Sequence, residues 1–147
     1  MDKPKYLFKA ISAGSGQWVR GGYVYCDLTD KHYIVAIRSD DRGNLSPKFT
    51  EVKPDTLCMC TGLYDKNRTL VFENDVLKGE VGKLEKFLKL VSLRNGTLYV
   101  TPSKYIGNNL DDFLYKDPLE AENHCKVEVI ANIYDPDYKE SGKGRTI

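Results

Sequence analysis

The sequence has no long apolar run and almost no excess of charge. No stretch approaches the roughly 20 apolar residues of a transmembrane helix. Charges also interrupt the opening segment, MDKPKYLFKAISAGSG, where a signal peptide would have its apolar core. The 22 Lys and Arg residues against 21 Asp and Glu give a formal net charge of +1, which excludes a strong overall field that would recruit nucleic acid or anionic lipid. We therefore expect a cytoplasmic protein with no membrane partner.

Metal-binding and nucleophilic residues are also few. The sequence has two histidines and four cysteines, and the cysteines should be reduced thiols in the cytoplasm. Tetrahedral zinc would need four ligands, and the candidates, Cys58, Cys60, His124 and Cys125, lack the paired Cys-x-x-Cys spacing of a zinc ribbon. His124 and Cys125 are neighbours, which in an extended chain point to opposite faces and do not form a nucleophile and its base. The sequence predicts no metal, no cofactor and no catalytic residue.

Two glycine-bearing segments have the composition of a phosphate loop without its motif. SAGSGQW has neither Gly-Lys-Ser/Thr nor a following helix. SGKGR, at Ser141–Arg145, has no preceding strand. Both segments are therefore interpreted as plain loops.

Tyrosine is abundant, at 10 of 147 residues, and favours the half-buried environment of a pleated sheet. With 41% hydrophobic and 29% charged residues, the chain is long enough to bury the core of one globular domain. We predict a mainly β protein with a single domain over 1–138 and a disordered tail over 139–147. The alternative is a division of that domain into an N-terminal hairpin lobe, 1–50, and a barrel lobe, 51–138.

Alternating apolar and polar residues, and runs of β-branched and aromatic residues, indicate the strands. The predicted strands are GQWVRGGYVYCDL, HYIVAIRSDD, TLCMC and CKVEVIANIYDP. Between the second and third of them, Ser39–Phe49 is crowded with Asp, Gly, Asn, Ser and Pro, and we predict an exposed loop there. Asn95-Gly96 predicts a hairpin, while residues 82–88 fit either helix or strand spacing.

One short helix is predicted within GNNLDDFLYKD, Gly107–Asp117. Asn109 would cap this helix, and Asp111 and Asp112 would lie in its first turn. Asp117-Pro118 would end it.

The segment TGLYDKNRTLVFENDV, Thr61–Val76, places DKNR, residues 65–68, between two apolar runs. Asp and Asn bond their own backbone and tolerate the left-handed conformation of a tight turn, so the segment predicts a hairpin. Glu73 and Asp75 are also a candidate carboxylate pair for a divalent cation or for acid-base chemistry. Because they lie at a turn-to-strand boundary, we favour the interpretation that Asp75 bonds backbone amides and Glu73 is solvated.

The same segment resembles the signature of the YopX family of bacteriophage and prophage proteins. In that signature Thr-Gly-Leu, an Asp-Lys-Asn-Gly turn and Phe/Tyr-Glu-Gly-Asp-Ile/Val follow one another. Three further segments, GQWVRGGYV, VKPDTLC and VEVIANIYDP, resemble the family in the same order, so that the resemblance spans roughly Gln17–Pro136. The sequence departs from the family at Arg68, Asn74 and Ala131, where glycine is usual. Asparagine adopts the left-handed conformation cheaply but arginine does not, so the hairpin at Arg68 is expected to turn differently from its relatives.

The resemblance implies an SH3-like small barrel with additional β-hairpins, and it implies no established activity. We therefore predict a protein that is not an enzyme but a binding or assembly module, with a phage protein, a host protein or further copies of itself as partner. The alternative is a weak nucleic-acid-binding barrel, since small barrels often present aromatic and basic residues on one face. A metal-dependent enzyme is the third hypothesis. The predicted binding residues are Trp18, Arg20, Tyr23, Lys66, Arg68, Glu73 and Asp75.

Overall fold

The computed structural model describes residues 6–79, 87–94, 97–100, 108–109 and 114–138. Two compact units are present: an amino-terminal unit over Lys3–Cys60 and a carboxy-terminal unit that begins at Thr61. The described residues are mainly β with one short α-helix, as predicted, and the strands pair antiparallel. The strands are β1 Phe8–Ile11, β2 Trp18–Cys26, β3 Lys31–Ser39, β4 Leu45–Glu51, β5 Cys58–Tyr64, β6 Leu70–Phe72, β7 Asp75–Gly79, β8 Phe87–Arg94, β9 Thr97–Val100, β10 Asn108–Asn109 and β11 Val127–Asn132. A 3-10 turn, Pro54–Thr56, precedes β5, and the helix α1 is Pro118–His124.

The amino-terminal unit is an antiparallel sheet in the order β4-β3-β2-β1, and the first residues of β5 pair with β1. Paired residues of neighbouring strands point to the same face, and one face carries the small core of Ala10, Ile34 and Val52. Tyr23 is opposite Ile34 in the register and packs against this core. The predicted strands GQWVRGGYVYCDL and HYIVAIRSDD are therefore found, as β2 and β3.

The carboxy-terminal unit contains a second antiparallel sheet in the order β10-β9-β8-β7-β11, with β6 next to the later residues of β5. Its buried core includes Leu63, before the predicted hairpin turn, and Val71, Leu77 and Val127, after it. Helix α1 contributes Ala121, which is fully buried. The apolar runs on both sides of the predicted hairpin thus face one core.

A strand, β4, occupies part of the predicted loop over Ser39–Phe49, so that prediction is wrong from Leu45 onwards. Among the described residues β4 pairs only with β3, and it is exposed along most of its length. Its amino-acid composition is therefore close to that of an exposed loop. An exposed edge strand tolerates the Ser and Pro that usually mark a loop. A turn over Asp40–Asn44 connects the two strands.

The predicted helix after Gly107 is also wrong in position. Asn109, its expected cap, lies in β10, while residues 110–113 lie outside the described part of the chain. The helix begins at Pro118, and the carboxylate of Asp117 accepts a hydrogen bond from the amide of Leu119 at 2.9 Å. The sequence predicts Asp117-Pro118 as the end of a helix, whereas Asp117 is the N-cap and Pro118 the first residue of α1, where a missing N–H leaves no bond unmade.

The two predicted hairpins are present. Strands β5 and β6 are neighbours on either side of residues 65–69, and β8 pairs with β9 with Arg94 opposite Thr97. Phe87 and Leu88, in the segment that fitted either helix or strand, belong to β8. Residues 82–86, the Asn95-Gly96 turn and the tail over 139–147 lie outside the described residues.

No closed barrel forms within the residues described above, so the structure supports the mainly β prediction but not the SH3-like barrel. The same residues include no helix that is both long and apolar enough to cross a membrane.

Candidate functional site

The turn between β5 and β6 is held by the carboxylate of Asp65, whose side chain is buried. Its Oδ1 accepts hydrogen bonds from the backbone amides of Asn67 and Thr69, each at 2.9 Å. Its Oδ2 accepts a third hydrogen bond, at 2.8 Å, from the amide of Val129 in β11. One carboxylate thus closes the turn and joins it to a strand 64 residues further along the sequence.

The chain contains the same five-residue turn twice, at Asp40–Asn44 and at Asp65–Thr69. In both, the first residue donates its amide to the carbonyl of the fifth at 3.0 Å, and the fourth residue donates its amide to the carbonyl of the first at 3.0 Å. In both, the first carboxylate accepts the amides of the third and fifth residues at 2.9 Å. The fourth residue is left-handed in each case, and it is Gly43 in the first turn and Arg68 in the second.

Arg68 has a φ of 62°, the conformation that glycine favours. Arg68 thus takes the conformation that Gly43 has in the Asp40–Asn44 turn, and the expected difference from the turn of its relatives stays a prediction. An L-residue with a Cβ pays roughly 1–2 kcal/mol for this conformation. The guanidinium Nε lies 3.2 Å from Oε1 of Glu122, with both side chains about half exposed. An exposed ion pair of this kind recovers little of the cost.

A second buried carboxylate, Asp75, holds the turn between β6 and β7. Its Oδ2 accepts the amide of Phe72 at 2.8 Å, and its Oδ1 accepts Nδ2 of the buried Asn132 at 2.9 Å. Asn132 Nδ2 also donates to the carbonyl of Glu73 at 3.1 Å. Asp75 therefore bonds a backbone amide, as the favoured interpretation held, and it also ties the turn to the end of β11.

Glu73 and Asp75 do not form a pair on one strand face. Glu73 lies in the turn before β7 and is half-buried rather than fully solvated, whereas Asp75 is the first residue of β7. Asn74, between them, is left-handed with a φ of 68°, as its short polar side chain allows. The geometry shows a structural role for Asp75 in the turn.

The cysteine and histidine candidates for a metal site are spread over different elements. Cys58 and Cys60 are buried at alternate positions of β5, and the Cys58 thiol donates to the carbonyl of Thr56 at 3.3 Å. His124 is the last residue of α1 and Cys125 follows it, so the expected extended geometry at this pair is wrong. Burial raises the pKa of the Cys125 thiol. Within the described residues no three His, Cys, Asp or Glu side chains are grouped to hold a metal ion.

The predicted aromatic and basic residues of β2 lie on opposite faces of the sheet. Trp18 and Arg20 occupy the face that carries Lys9, whose Nζ lies 4.4 Å from the centre of the Trp18 ring. Tyr23 occupies the core face, and its hydroxyl lies 2.7 Å from Nδ1 of His32. These residues therefore do not form one stacking surface for bases.

The two basic candidates of the Asp65 turn lie near carboxylates. Lys66 Nζ is 3.6 Å from Oε1 of Glu128, and Arg68 is next to Glu122 as described above. These acidic neighbours offset the positive charge that a phosphate backbone would require. The seven predicted binding residues thus fall in separate places of the two units, and their role in binding stays a prediction.

The SAGSGQW segment does not offer a free phosphate cradle. The hydroxyl of Ser12 accepts the amides of Gly14 and Ser15, at 3.3 and 3.1 Å, and the Ser12 carbonyl accepts the amide of Gly16 at 3.0 Å. Ser15 Oγ accepts the amide of Gln17 at 3.2 Å. The amides that a phosphate would need are engaged within the loop, as its interpretation as a plain loop implies. SGKGR lies outside the described residues.

The β3–β4 hairpin has one apolar face that is exposed. Val35 is opposite Phe49 and Ile37 is opposite Pro47, so their side chains share this face with that of Leu45. We call these five residues the apolar hairpin face. Ile37, Leu45 and Phe49 are 64%, 72% and 59% exposed.

The reverse face of the same hairpin is polar and exposed as well. Ala36 is opposite Lys48 and Arg38 is opposite Ser46, and the last three of these side chains are exposed. The pairing of β3 with β2 ends at Val35, and from Ile37 to Ser39 the side chains on both faces of β3 are exposed. Among the described residues, the buried core of this unit lies on the opposite face of the sheet, at Ile34, and does not cover the apolar hairpin face.

Sequence reasoning missed this face although its pattern was present. Leu45, Pro47 and Phe49 alternate with Ser46 and Lys48, the period of a half-buried strand. The loop-forming residues around them concealed the alternation.

Two comparisons with known proteins bear on these features. The family model of the YopX protein matches residues 7–137, nearly the whole chain and the whole of the two turns and β11. No curated protein matches the sequence at a significant level. The match includes the motif in which Asp65 and Asp75 are buried, and it extends through the strand that both carboxylates bind. On this evidence the chain belongs to the YopX family.

Proposed function

We propose that this member of the YopX family is a non-catalytic binding or assembly module of phage or prophage origin. It would act in the cytoplasm and bind protein through the apolar hairpin face. The observation that carries the proposal is the exposure of Ile37, Leu45 and Phe49 side by side on one face of a hairpin. Contiguous exposed apolar side chains in a water-soluble chain typically mark interaction sites.

The hydrogen bonds of the two buried carboxylates favour a binding role over catalysis at the family motif. The carboxylates of Asp65 and Asp75 accept backbone and amide donors that belong to the turns and to β11. A general acid or base needs a carboxylate that can approach a substrate. These two carboxylates instead hold the carboxy-terminal unit together.

Charge also favours a protein partner over nucleic acid. The net charge is +1, and the basic residues of the Asp65 turn lie near glutamates. Binding to a phosphate backbone depends on uncompensated cations and falls steeply with salt. An apolar face depends little on salt, since its driving force is the removal of apolar surface from water.

The proposal can be tested by capture of partners with matched variants of β4. The tagged wild-type chain, Phe49→Thr and Lys48→Thr are used to isolate partners from host cells that also express the untagged chain, with and without nuclease. The two substitutions introduce the same strand-compatible residue at neighbouring positions that point to opposite faces. We expect wild type and Lys48→Thr to retain the same partners through nuclease and salt, and Phe49→Thr to lose them.

Two results would contradict the proposal. If Phe49→Thr retained every protein that the wild type captures, the apolar hairpin face would not be the binding surface. If the partners disappeared only after nuclease treatment, the chain would be a nucleic-acid-binding protein instead.

A further inference from the structure

The outer edge of β4, away from β3, is poorly suited to pair with another strand. Val52 donates its amide to the carbonyl of His32 in β3, while the carbonyl of Glu51 accepts an amide from Ala13 on the other side. The backbone N–H and C=O groups of successive residues in an antiparallel strand point to alternate edges. The backbone groups of even-numbered residues of β4 therefore bond β3, while those of odd-numbered residues, Pro47 among them, point away from β3. Proline has no N–H to donate, which leaves a gap in the middle of any ladder formed at this edge.

A proline on an outward position is a usual protection against edge-to-edge pairing. It protects the backbone edge but does nothing to cover Ile37, Leu45 and Phe49. The contact that the hairpin can make most completely is therefore through its side chains, face to face. Two sheets pack in this way about 10 Å apart, with the apolar side chains of the facing surfaces between them.

The charges around the apolar hairpin face indicate which partner fits. On the same face, in the residues that continue β3 and β4 beyond it, Lys31 Nζ lies 3.7 Å from Oε1 of Glu51, with 52% and 43% of the side chains exposed. A strongly acidic or strongly basic partner finds no complement in such a balanced pair. A second copy of this chain carries the same balanced pair, and a twofold arrangement can bring each cation near the other copy's anion. With a net charge of +1 per chain, two copies also repel each other little.

From these observations we infer that the apolar hairpin face packs against the same face of a second copy, forming a twofold-symmetric dimer. The inference rests on the proposed binding function and specifies its partner as the chain itself. In the dimer Ile37, Leu45 and Phe49 lie between the two hairpins, while Arg38, Ser46 and Lys48 remain in solvent on the outer faces.

The test is the mass of the full-length chain in solution as a function of concentration, measured by sedimentation equilibrium. Three proteins are compared: wild type, Leu45→Asp and Ser46→Asp. Both substitutions add one negative charge to β4 at an exposed position, and only the first one lies on the apolar hairpin face. We expect the wild type and Ser46→Asp to rise from the chain mass of 16.7 kDa towards twice that value. Leu45→Asp should raise the dissociation constant at least about tenfold, because it removes apolar contact from both copies.

Three outcomes would overturn the inference. The first is a wild type that stays at the chain mass over the whole concentration range. The second is a dimer that Leu45→Asp leaves unchanged. The third is an equal weakening by Leu45→Asp and Ser46→Asp, which would show an effect of net charge rather than of this face.

Folding of each variant is checked by circular dichroism, and Leu45 is exposed enough that its replacement should leave the unfolding midpoint near that of the wild type. If Leu45→Asp did not fold, Ile37→Thr with Arg38→Thr as its control would test the same face on β3. The two proposals fail separately. A monomeric wild type whose protein partner is lost in Phe49→Thr would refute the dimer and leave the binding function intact.

Discussion

Replacing Asp65 by asparagine should destabilise the carboxy-terminal unit, although asparagine is as good a turn former as aspartate. The two oxygens of Asp65 have different tasks: Oδ1 accepts two amides within the turn, and Oδ2 accepts the amide of Val129. An asparagine can keep its oxygen towards the turn, but its NH2 group then faces the N–H of Val129. Two donors would meet at a buried position where the carboxylate had provided an acceptor.

The magnitude follows from the hydrogen bonds lost. A hydrogen bond to a charged group is worth about 1.5–3 kcal/mol, so Asp65→Asn should lower the free energy of unfolding by about 2–3 kcal/mol. Asp65→Ala also loses the two turn bonds. Because Asn67 and Thr69 are exposed, their amides regain water, and each adds only roughly 0.5–1 kcal/mol. The alanine variant should therefore lose about 3–5 kcal/mol in total.

Urea denaturation followed by circular dichroism measures these losses. With a slope of roughly 1–3 kcal/mol per molar urea, a loss of about 2–3 kcal/mol in Asp65→Asn should lower the midpoint by about 0.7–3 M. Asp40→Asn is the matched control, since Asp40 holds the same five-residue turn but is exposed. Its midpoint should remain near that of the wild type. An Asp65→Asn midpoint that also remained there would refute the argument, because it would show that the bond to Val129 contributes nothing.

Three further predictions concern other residues of the two units. Arg68→Gly should raise the free energy of unfolding by roughly 0.5–1 kcal/mol in the same urea assay, because glycine takes a φ of 62° without strain. Gly79→Ala should lower the free energy of unfolding by roughly 1–3 kcal/mol, since a Cβ at this position would clash with Cγ1 of Val127. Cys26 should be the first thiol alkylated by iodoacetamide near neutral pH, because hydrogen bonds from the hydroxyl and amide of Thr29 lower its pKa; Thr29→Val should raise that pKa and slow the reaction.

Each of these three predictions has a control or a result that would contradict it. Gly22→Ala places a Cβ in open space on β2 and should change stability little, so an equal loss at Gly22 and Gly79 would show a general effect of glycine replacement. A less stable Arg68→Gly would mean that the ion pair with Glu122 outweighs the backbone strain. Mass spectrometry identifies the alkylated cysteine, and faster labelling of the buried Cys125 than of Cys26 would contradict the order expected from their pKa values, one raised and the other lowered.

The turns of the family motif could be predicted because their causes are local. Asp65 bonds amides two and four residues ahead, and that chemistry is visible in the sequence DKNRT. What could not be predicted is the second task of the same side chain, since Val129 lies 64 residues away. The hydrogen bond between Asn132 and Asp75, which are 57 residues apart, could not be predicted for the same reason.

The helix and the loop were predicted wrongly because the residues at both places are compatible with two structures. Asp117-Pro118 is chemically suited both to end one helix and to begin another, and only the capping bond to Leu119 decides between them. In β4 the apolar alternation of Leu45, Pro47 and Phe49 competed with a loop-like composition. The candidate surface was overlooked because a strand exposed on both faces lacks the buried side that usually reveals a strand.

The dependence of two early turns on a late strand has a consequence for synthesis on the ribosome. At about 5–20 residues per second, the 57 to 64 residues that separate Asp75 and Asp65 from their partners take roughly 3–13 seconds to translate. Throughout that interval both carboxylates must remain hydrated, because burying them before β11 emerges would leave unpaired anions in the core. The carboxy-terminal unit can therefore bury these carboxylates only after β11 has been synthesised, and the amino-terminal unit has that time to fold first.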